Sequence, residues 1–338
     1  MKIRIYILFI ILFFIFSPYL LVFSQSISFS QHERIELARY KGVRLTMGTY
    51  PFIYPSLVEQ GIFPSHFKNK NVNTISLIMF YKVDKEGNIH PIPFSKIITR
   101  LMIRRYHNAG FAVCLSPAIL KGYLSFGPLP EDILEKENFW RNLKKITVET
   151  AKIAEEEKVE VFFASNELEL LLSGATELEK GLGVPEEKRI TACERALNFS
   201  REILPEIRKV FHGKVGWHSM LEIALDWEAF NKNQSIKLFC PQEKLNFSGY
   251  DFYGSTVRVF TNNPSLVKVF SKGFIRMVSE IAKQSNASLA IPETIGGSTP
   301  EHLRFFIEEA LKYNATILLP SYSFNSKEFL NEYLPKIY

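Results

Sequence analysis

The sequence predicts a single α/β domain folded as a (β/α)₈ barrel, and three observations support this fold class. Short apolar runs alternate with long amphipathic runs, as expected for successive strand and helix units around a parallel sheet. Eight of the short runs have strand character, and 338 residues with 46% apolar composition suffice for one large core. No Gly-rich phosphate loop follows any run, which disfavours the doubly wound open sheet, the main competing architecture.

The predicted strands are the short apolar runs, and the predicted helices are the longer runs with apolar residues at helical spacing. The predicted strands are Val43–Gly48, Thr74–Val83, Phe111–Ala118, Val159–Glu167, Lys214–Ser219, Phe247–Gly254, Leu289–Ile295 and Ala315–Tyr322. The predicted helices are Phe94–Asn108, Glu131–Lys158, Glu186–His212, Met220–Asn231, Pro264–Ser285, Pro300–Tyr313 and Ser326–Ile337. Pro300 in a first turn, followed by Glu301, is a typical helix start.

Three connections after predicted strands are longer than a minimal turn. They are Thr49–Asn71 after the first strand, Leu120–Leu129 after the third and Leu172–Val184 after the fourth. Loops that follow strands line the active face of such barrels, so we expect a cleft to be built there.

The N-terminal residues are typical of an export signal. A basic start, Met1–Arg4, precedes an apolar stretch that extends to Phe23 and is interrupted by Pro18. We expect cleavage ahead of Gln25, which gives a signal segment at residues 1–24 and a barrel domain at residues 25–338. The stretch approaches the length of a membrane span, so an uncleaved membrane anchor is the alternative. The helix-breaking Pro18 favours cleavage, and either outcome predicts a secreted or extracytoplasmic domain.

Charge and cysteine content exclude several functional classes. Removing residues 1–24 takes away Lys2 and Arg4 and lowers the formal charge from +6 to +4. Because no cluster or stripe of Lys and Arg could neutralise phosphates, we expect no nucleic-acid partner. The three cysteines, Cys114, Cys193 and Cys240, lack metal-type spacing, and their odd number allows at most one intramolecular disulfide. No metal site and no organic cofactor are expected.

Two glutamates stand at the ends of the fourth and seventh predicted strands. Alternation places Glu167 on the same face as Val161, Phe163 and Ser165, and we assign this face to the barrel interior. The same rule places Glu293 on one face with Leu289 and Ile291. These two strands lie across the barrel mouth from each other, so both carboxylates can address one glycosidic bond. Either glutamate alone is more often a structural or solvated residue, and Asn166 can equally cap the next helix.

These segments resemble the clan of retaining (β/α)₈ glycoside hydrolases that contains the family 5 cellulases and mannanases and the family 113 mannanases. The resemblance rests on Asn166-Glu167 and Glu293, on Phe139–Leu170 around the fourth strand and on Ser248–Tyr253 in the sixth. It covers about residues 74 to 297. It implies that Glu167 is the general acid/base and that Glu293 is the nucleophile of a double displacement. The implied substrate is a β-linked polysaccharide or oligosaccharide such as β-mannan or β-glucan.

Two features of the clan are missing where the resemblance predicts them. The second strand ends in Met79-Phe80-Tyr81-Lys82 without the Arg that holds the nucleophile ionised. The eighth strand, Ala315–Tyr322, has no Trp. A catalytically silent barrel that binds glycans or a protein partner at the cell envelope is therefore the alternative function.

Four residues are candidates for substrate binding. Asn166 precedes the proposed acid/base, and Tyr253 is the candidate donor that steadies Glu293 or, equally, a packed tyrosine at the rim. Trp217 and His218, at the end of the fifth strand, can form a sugar platform and a polar contact. A lone His is more often a structural residue.

Overall fold

The computed structural model describes residues 33–45, 64–68, 70–121, 127–176, 184–220, 239–258, 263–295 and 300–320. The described residues from Arg34 onward belong to one compact unit. Three predicted segments lie outside the described residues. They are the predicted leader, the closing helix predicted over Ser326–Ile337 and, apart from Met220 itself, the helix predicted over Met220–Asn231. None of the helices in these ranges is long and apolar enough to cross a membrane.

Eight parallel strands close into a barrel. The described residues contain ten strands, of which eight form the barrel. The ten strands are β1 (Tyr40–Leu45), β2 (Thr74–Val83), β3 (Ile89–Pro91), β4 (Ala112–Lys121), β5 (Val161–Phe163), β6 (Lys214–Ser219), β7 (Phe252–Ser255), β8 (Val257–Arg258), β9 (Ser288–Ile295) and β10 (Ile317–Pro320). The barrel order is β1-β2-β4-β5-β6-β7-β9-β10, and β10 pairs with β1 to close the ring. β3 is antiparallel to β2, and β8 pairs with the end of β9. The predicted (β/α)₈ barrel is confirmed.

Helices follow the strands around the ring. They are α1 (Pro64–Phe67), α2 (Ser95–Asn108), α3 (Glu131–Leu134), α4 (Glu137–Glu156), α5 (Leu168–Leu171), α6 (Glu186–Arg208), α7 (Pro264–Gln284) and α8 (Pro300–Lys312), and a 3₁₀ turn covers Gln242–Lys244. The start of α7 shows how local sequence fixes a boundary. The side chain of Asn263 accepts hydrogen bonds from the N–H groups of Ser265 and Leu266, and Pro264 occupies the first turn.

Some boundaries differ from the predicted ones. β5, the fourth barrel strand, ends at Phe163 rather than Glu167, because the chain leaves the sheet before α5 begins. β7, the sixth barrel strand, begins at Phe252 rather than Phe247, because a turn with Gly249 at φ 92° occupies the predicted first half. The long helix predicted over Glu131–Lys158 is divided into α3 and α4.

Two apolar layers fill the fold. The inner layer includes Tyr40, Cys114, Phe163, Phe252, Ala290 and Leu319. These residues come from strands on opposite sides of the ring, so they face the barrel axis. The outer layer packs the other face of the strands against the helices and includes Val43, Trp217, Tyr253, Leu289 and Ile291.

A buried glutamate closes the pole at which the strands begin. Glu160, directly before β5, accepts hydrogen bonds from the backbone N–H of Val113 at 2.6 Å and of Ile35 at 2.9 Å. Its carboxylate also lies 3.0 Å from Nε2 of His107. Because Ile35 and Leu37 pack on the inner layer, these contacts hold the segment before β1 across this pole.

One disulfide is present, as the odd number of cysteines allows. It joins Cys193 of α6 to Cys240, and Cys114 is a buried free thiol of the inner layer. The disulfide therefore ties the chain that approaches β7 to the outer helix α6.

Candidate active site

Glu167 lies at the barrel mouth, just beyond the end of β5. Val161 and Phe163 belong to the inner layer, in agreement with the interior face predicted for this strand. Glu167 has left-handed backbone angles, φ 56° and ψ 48°, directly before α5. Its backbone N–H donates to the carbonyl oxygen of His218 at 3.1 Å. A left-handed conformation costs a residue with a side chain about 1–2 kcal/mol, so neighbouring contacts must hold this turn.

Glu293 lies in the same mouth, close to Glu167. One carboxylate oxygen of Glu293, one of Glu167 and a ring nitrogen of His218 all lie within 4.8 Å of one another. Glu293 is 2% exposed. The mouth thus brings together two carboxylates and an imidazole from the segment after β5, from β9 and from β6.

A β-bulge directs Glu293 into the mouth. Along β9, Ala290 belongs to the inner layer and Ile291 to the outer layer, so strict alternation would turn Glu293 toward the helices. The register with β10 shifts at this point, because Leu318 pairs with Ile291 whereas Pro320 pairs with Thr294. The extra residue on β9 reverses the direction of Glu293.

This bulge corrects the face predicted for the strand. Leu289 and Ile291 do share a face, but it is the outer one, and Glu293 departs from it. Pro292, inside the irregular region, has no backbone N–H for the sheet, and proline within sheets is confined to edges and bulges. The prediction that all three residues share one face was wrong because alternation does not continue through a bulge.

Arg44 of β1 supplies the positive charge that balances Glu293. The side chain is fully buried, and its Nε lies 3.0 Å from Oε2 of Glu293. The guanidinium also donates to Oδ1 of Asn166 and makes longer contacts with Oγ of Ser76 at 3.4 Å and of Ser116 at 3.5 Å. Arg44 therefore links the nucleophile candidate to the Asn-Glu segment that follows β5.

Arg44 was not predicted as a site residue, because the resemblance places the corresponding Arg at the end of the second strand rather than in the first. A signal was present: Arg44 is a charged residue inside the apolar run Val43–Gly48. A charged side chain in a strand that is buried on both faces requires an opposite charge inside the barrel.

Asn166 is half-buried, and its contact with Arg44 decides between its two interpretations. Glu167, not Asn166, occupies the N-cap position of α5, and no side chain caps that helix. The amide oxygen of Asn166 is instead bound to the guanidinium of Arg44.

His218 is fully buried beside the two carboxylates. Its Nε2 lies 2.7 Å from Oγ1 of Thr256, and its ring meets that of Phe163 edge to face, with centroids 6.2 Å apart. Glu167, His218 and Glu293 could together approach one cation. Arg44 already places a positive charge against Glu293, which opposes a divalent ion at this point. That no metal is needed stays a prediction.

Trp217 and Tyr253 are fully buried in the outer layer. Both rings stack on Phe247, with centroid distances of 5.2 Å and 4.9 Å. This placement does not support a sugar platform at Trp217 or a hydrogen bond from Tyr253 to Glu293. The reason is alternation along the strand: His218 faces the axis, so its neighbour Trp217 faces the helices. Burial raises the pKa of the Tyr253 hydroxyl.

A further buried carboxyl group, Glu169, lies behind the mouth and is 1% exposed. Its Oε2 accepts a hydrogen bond from the backbone N–H of Met220 at 2.8 Å, and Nε1 of Trp217 lies 3.5 Å from its Oε1. Burial raises the pKa of Glu169, whereas the hydrogen bonds from Met220 and Trp217 act in the opposite direction. The sequence gives no signal for this residue, because it reads as an ordinary polar position of a short helix.

Comparison with known proteins establishes the fold. No protein-family model matches the sequence, and no curated protein matches it. A family 5 broad-specificity endoglucanase from an uncultured bacterium superposes with a TM-score of 0.61 at 10% identity, over 88% of this chain and 93% of that one. An endo-1,4-β-D-mannanase from Thermotoga petrophila gives 0.59 at 10% identity, over 84% and 88%. A family 113 β-mannanase from Alicyclobacillus acidocaldarius gives 0.50 at 14% identity, over 84% and 87%.

The family 5 endoglucanase and the family 113 β-mannanase come from the families that the sequence resembles. At identities of 10–14%, the likeness establishes a common closed barrel of eight parallel strands.

Proposed function

We propose that this protein is a retaining glycoside hydrolase that cleaves β-linked polysaccharides or oligosaccharides. The observation that carries the proposal is the pair of carboxylates in the barrel mouth, Glu167 and Glu293, with oxygens within 4.8 Å of each other. Retaining enzymes hold their two carboxyl groups about 5–5.5 Å apart, whereas inverting enzymes leave about 6.5–9.5 Å for a water molecule. The short separation supports retention.

The proposed reaction has two displacements. In the first, an oxygen of Glu293 forms a bond to the anomeric carbon while the bond to the leaving oxygen breaks, and Glu167 gives that oxygen its proton. In the second, ionised Glu167 takes a proton from water, and the water oxygen displaces Glu293 from the anomeric carbon. Two inversions at the same carbon give a product of retained configuration.

Arg44 and Asn166 are proposed to prepare Glu293 and the sugar. A guanidinium 3.0 Å from a buried carboxylate favours the ionised form that the nucleophile requires. The amide oxygen of Asn166 is bound to Arg44, so its NH₂ group is the part directed to a substrate hydroxyl. His218 is proposed as a further polar contact of the sugar, and Trp217 and Tyr253 support the site from the outer layer.

The proposed substrates are β-mannan or β-glucan. The support is the set of structural neighbours, which are named as mannanases, an endoglucanase, a β-glucosidase and an exo-β-1,4-mannosidase. The names of the mannanases, the β-glucosidase and the exo-β-1,4-mannosidase specify a β-linkage. The proposed partner is therefore a carbohydrate, with no nucleic acid.

Export of the protein is part of the proposal. The leader at residues 1–24 is proposed to direct the chain out of the cytoplasm, and it is either cleaved or retained as a membrane anchor. The disulfide between Cys193 and Cys240 supports export, because disulfides persist mainly in oxidising compartments. N-terminal sequencing of the protein from its host should begin at Gln25. An intact Met1 in the membrane fraction indicates the anchor, and an intact Met1 in the cytosol contradicts export.

The reaction is tested with oligosaccharides of β-mannan, β-glucan and xylan, and the anomeric configuration of the first products is followed by NMR. We expect hydrolysis of at least one substrate with the β-anomer formed first. Inverted first products would contradict the double displacement, and no hydrolysis of any substrate would favour the catalytically silent barrel. That alternative rests on the eighth strand, which carries no Trp in Ala315–Tyr322.

The two carboxylates are tested separately by substitution. Glu293→Ala should abolish turnover of every substrate, because no covalent intermediate can form. Glu167→Ala should retain the first step for aryl glycosides with good leaving groups, which need little protonation. Azide should then replace the activated water and give a glycosyl azide of retained configuration. Wild-type rates in both variants would refute the assignment. If azide gives a product of retained configuration with Glu293→Ala instead of Glu167→Ala, the roles of the two glutamates must be exchanged.

A further inference from the structure

The segment that carries Glu167 leaves the barrel sheet before it reaches the mouth. β5 pairs with β6 only as far as Phe163 and Gly216. Beyond this point the backbone N–H groups at the end of β6 still require acceptors, because buried backbone donors are almost always hydrogen-bonded. The donors concerned are those of His218 and Met220.

Two side chains take the place of the missing strand. Oγ of Ser165 accepts the N–H of His218 at 3.1 Å and donates to the carbonyl oxygen of His218 at 3.0 Å. Oε2 of Glu169 accepts the N–H of Met220 at 2.8 Å. Ser165 and Glu169 flank Glu167 two positions before and two after it, and each is 1% exposed. Both therefore join the turn around Glu167 to the same stretch of β6.

Glu167 needs such support because its backbone is strained. Its left-handed φ of 56° persists only where the surrounding contacts outweigh the cost. Four hydrogen bonds join this turn to residues 218–220, and the bond from the N–H of Glu167 lies between the two made by Ser165 and the one made by Glu169. An error of about 1 Å in the position of a catalytic group can reduce a rate roughly 100-fold.

We propose that Ser165 and Glu169 are positioning residues that clamp the strained turn at Glu167 onto the end of β6. The clamp holds Glu167 in place whatever chemistry Glu167 performs. The effect of the clamp on catalysis rests on the proposed function of Glu167 as the acid/base. Glu169 makes the more extensive contacts of the two, because its carboxyl group also accepts from the indole N–H of Trp217. Within the described residues it has no cationic partner, so its contacts are these neutral donors.

The test compares full-length Glu169→Leu, Ser165→Ala and Glu169→Gln with a matched control, Glu160→Leu. Glu160 is also buried and also accepts backbone N–H groups, but it lies at the opposite end of β5. The measured quantity is kcat/KM on an unactivated oligosaccharide divided by kcat/KM on an aryl glycoside with a good leaving group. This ratio reports how well Glu167 protonates the leaving oxygen.

We expect the ratio to fall roughly 10- to 100-fold in Glu169→Leu and by a smaller factor in Ser165→Ala. Glu169→Gln should stay near the wild-type ratio, because its amide oxygen still accepts the N–H of Met220. Glu160→Leu should lower stability without changing the ratio, since it perturbs the distant pole. If Glu169→Leu does not fold, Ser165→Ala, which removes a single hydroxyl, decides the question.

A second readout separates the clamp from the proposed function. Hydrogen–deuterium exchange of peptides covering residues 164–172 should accelerate in Glu169→Leu and Ser165→Ala but not in Glu160→Leu. Unchanged exchange in this segment, or a kinetic ratio equal to the wild type in both variants, would overturn the clamp. A wild-type protein that hydrolyses no β-linked substrate would instead refute the proposed function, and the exchange experiment would still decide the clamp.

Discussion

Arg44 is the residue on which the candidate site depends most directly. It is fully buried, and its guanidinium contacts both Glu293 and Asn166. Removing one partner of a buried ion pair costs about 3–5 kcal/mol, because the other charge is left without compensation. The same side chain therefore contributes to the stability of the barrel and balances the charge of Glu293.

Replacing Arg44 by Lys keeps the charge but removes the planar fork that reaches two acceptors. We expect kcat on a β-linked oligosaccharide to fall about 100- to 1000-fold, as for loss of one preorganised electrostatic contact. Arg34→Lys is the control, because Arg34 also pairs with a glutamate, Glu155, at the opposite pole. The kcat of Arg34→Lys should stay within about twofold of the wild-type value. An unaltered kcat in Arg44→Lys would contradict the proposed role of Arg44.

We expect the buried carboxyl group of Glu169 to make the stability of the protein depend on pH. Burial raises its pKa above the ordinary value of 4.5, so the folded protein holds this proton more tightly than the unfolded chain. Stability is therefore lost as the pH rises from about 4.5 toward the raised pKa. Tyr253, the titratable group that faces Glu169 from β7, stays neutral across this range because burial raises its pKa as well.

Glu169→Gln removes this titration, so the variant should become more stable relative to the wild type as the pH rises. The measurement is the Tm of both proteins between pH 4 and pH 8. The difference in Tm, variant minus wild type, should increase with pH in the window above 4.5. A difference that stays constant above pH 4.5 would contradict a raised pKa of Glu169 in the folded protein.

At the scale of the elements, the site depends on the contact between β7 and the bulged strand β9. Gly254 of β7 has no room for a side chain: a Cβ atom would lie 2.2 Å from the carbonyl oxygen of Ala290 and 2.8 Å from Cδ of Pro292. The glycine therefore allows β7 to approach the bulge that turns Glu293 inward.

Gly254→Ala should displace the bulge and with it Glu293. We expect a loss of stability of about 1–3 kcal/mol, typical of overpacking, together with at least a roughly tenfold loss of kcat. Gly213→Ala is the control, because its Cβ would lie 2.5 Å from the ring of Phe211 at the opposite pole. The control should lose stability and keep kcat. If both variants lose kcat in proportion to stability, the bulge has no specific effect on the site.

At the scale of the whole molecule, the disulfide closes a long loop of the chain. Cys193 and Cys240 are 47 positions apart, which corresponds to about 4 kcal/mol of loop entropy in the unfolded state. The bond ties α6 to the segment that leads into β7. β7 lies next to the bulged strand β9, so the disulfide also restrains a strand beside the one that carries Glu293.

Reduction of this disulfide should lower the free energy of unfolding by roughly 2–4 kcal/mol, measured by urea denaturation with and without a thiol reductant. The variant Cys193→Ala/Cys240→Ala should match the reduced wild type and should not respond to the reductant. A urea midpoint that does not change on reduction would contradict a stabilising disulfide.

The sequence by itself determined the fold class and most of the elements. The bounds of Thr74–Val83 and Lys214–Ser219 match the predicted strands in full, because apolar runs of this length report burial locally. The interior face of the Glu167 strand followed from alternation alone, since the chain from Val161 to Phe163 is regular. The two glutamates could be nominated for the same reason: each stands at the end of a strand, and strand ends meet at the mouth.

The tertiary structure decided how those glutamates are held. Arg44 and Asn166 are 122 positions apart, and only closure of the ring brings β1 beside the segment after β5. The inward direction of Glu293 comes from a register shift against β10, which depends on the partner strand rather than on local sequence. Each of these features arises from contacts between distant segments, and periodicity along a single segment does not encode them.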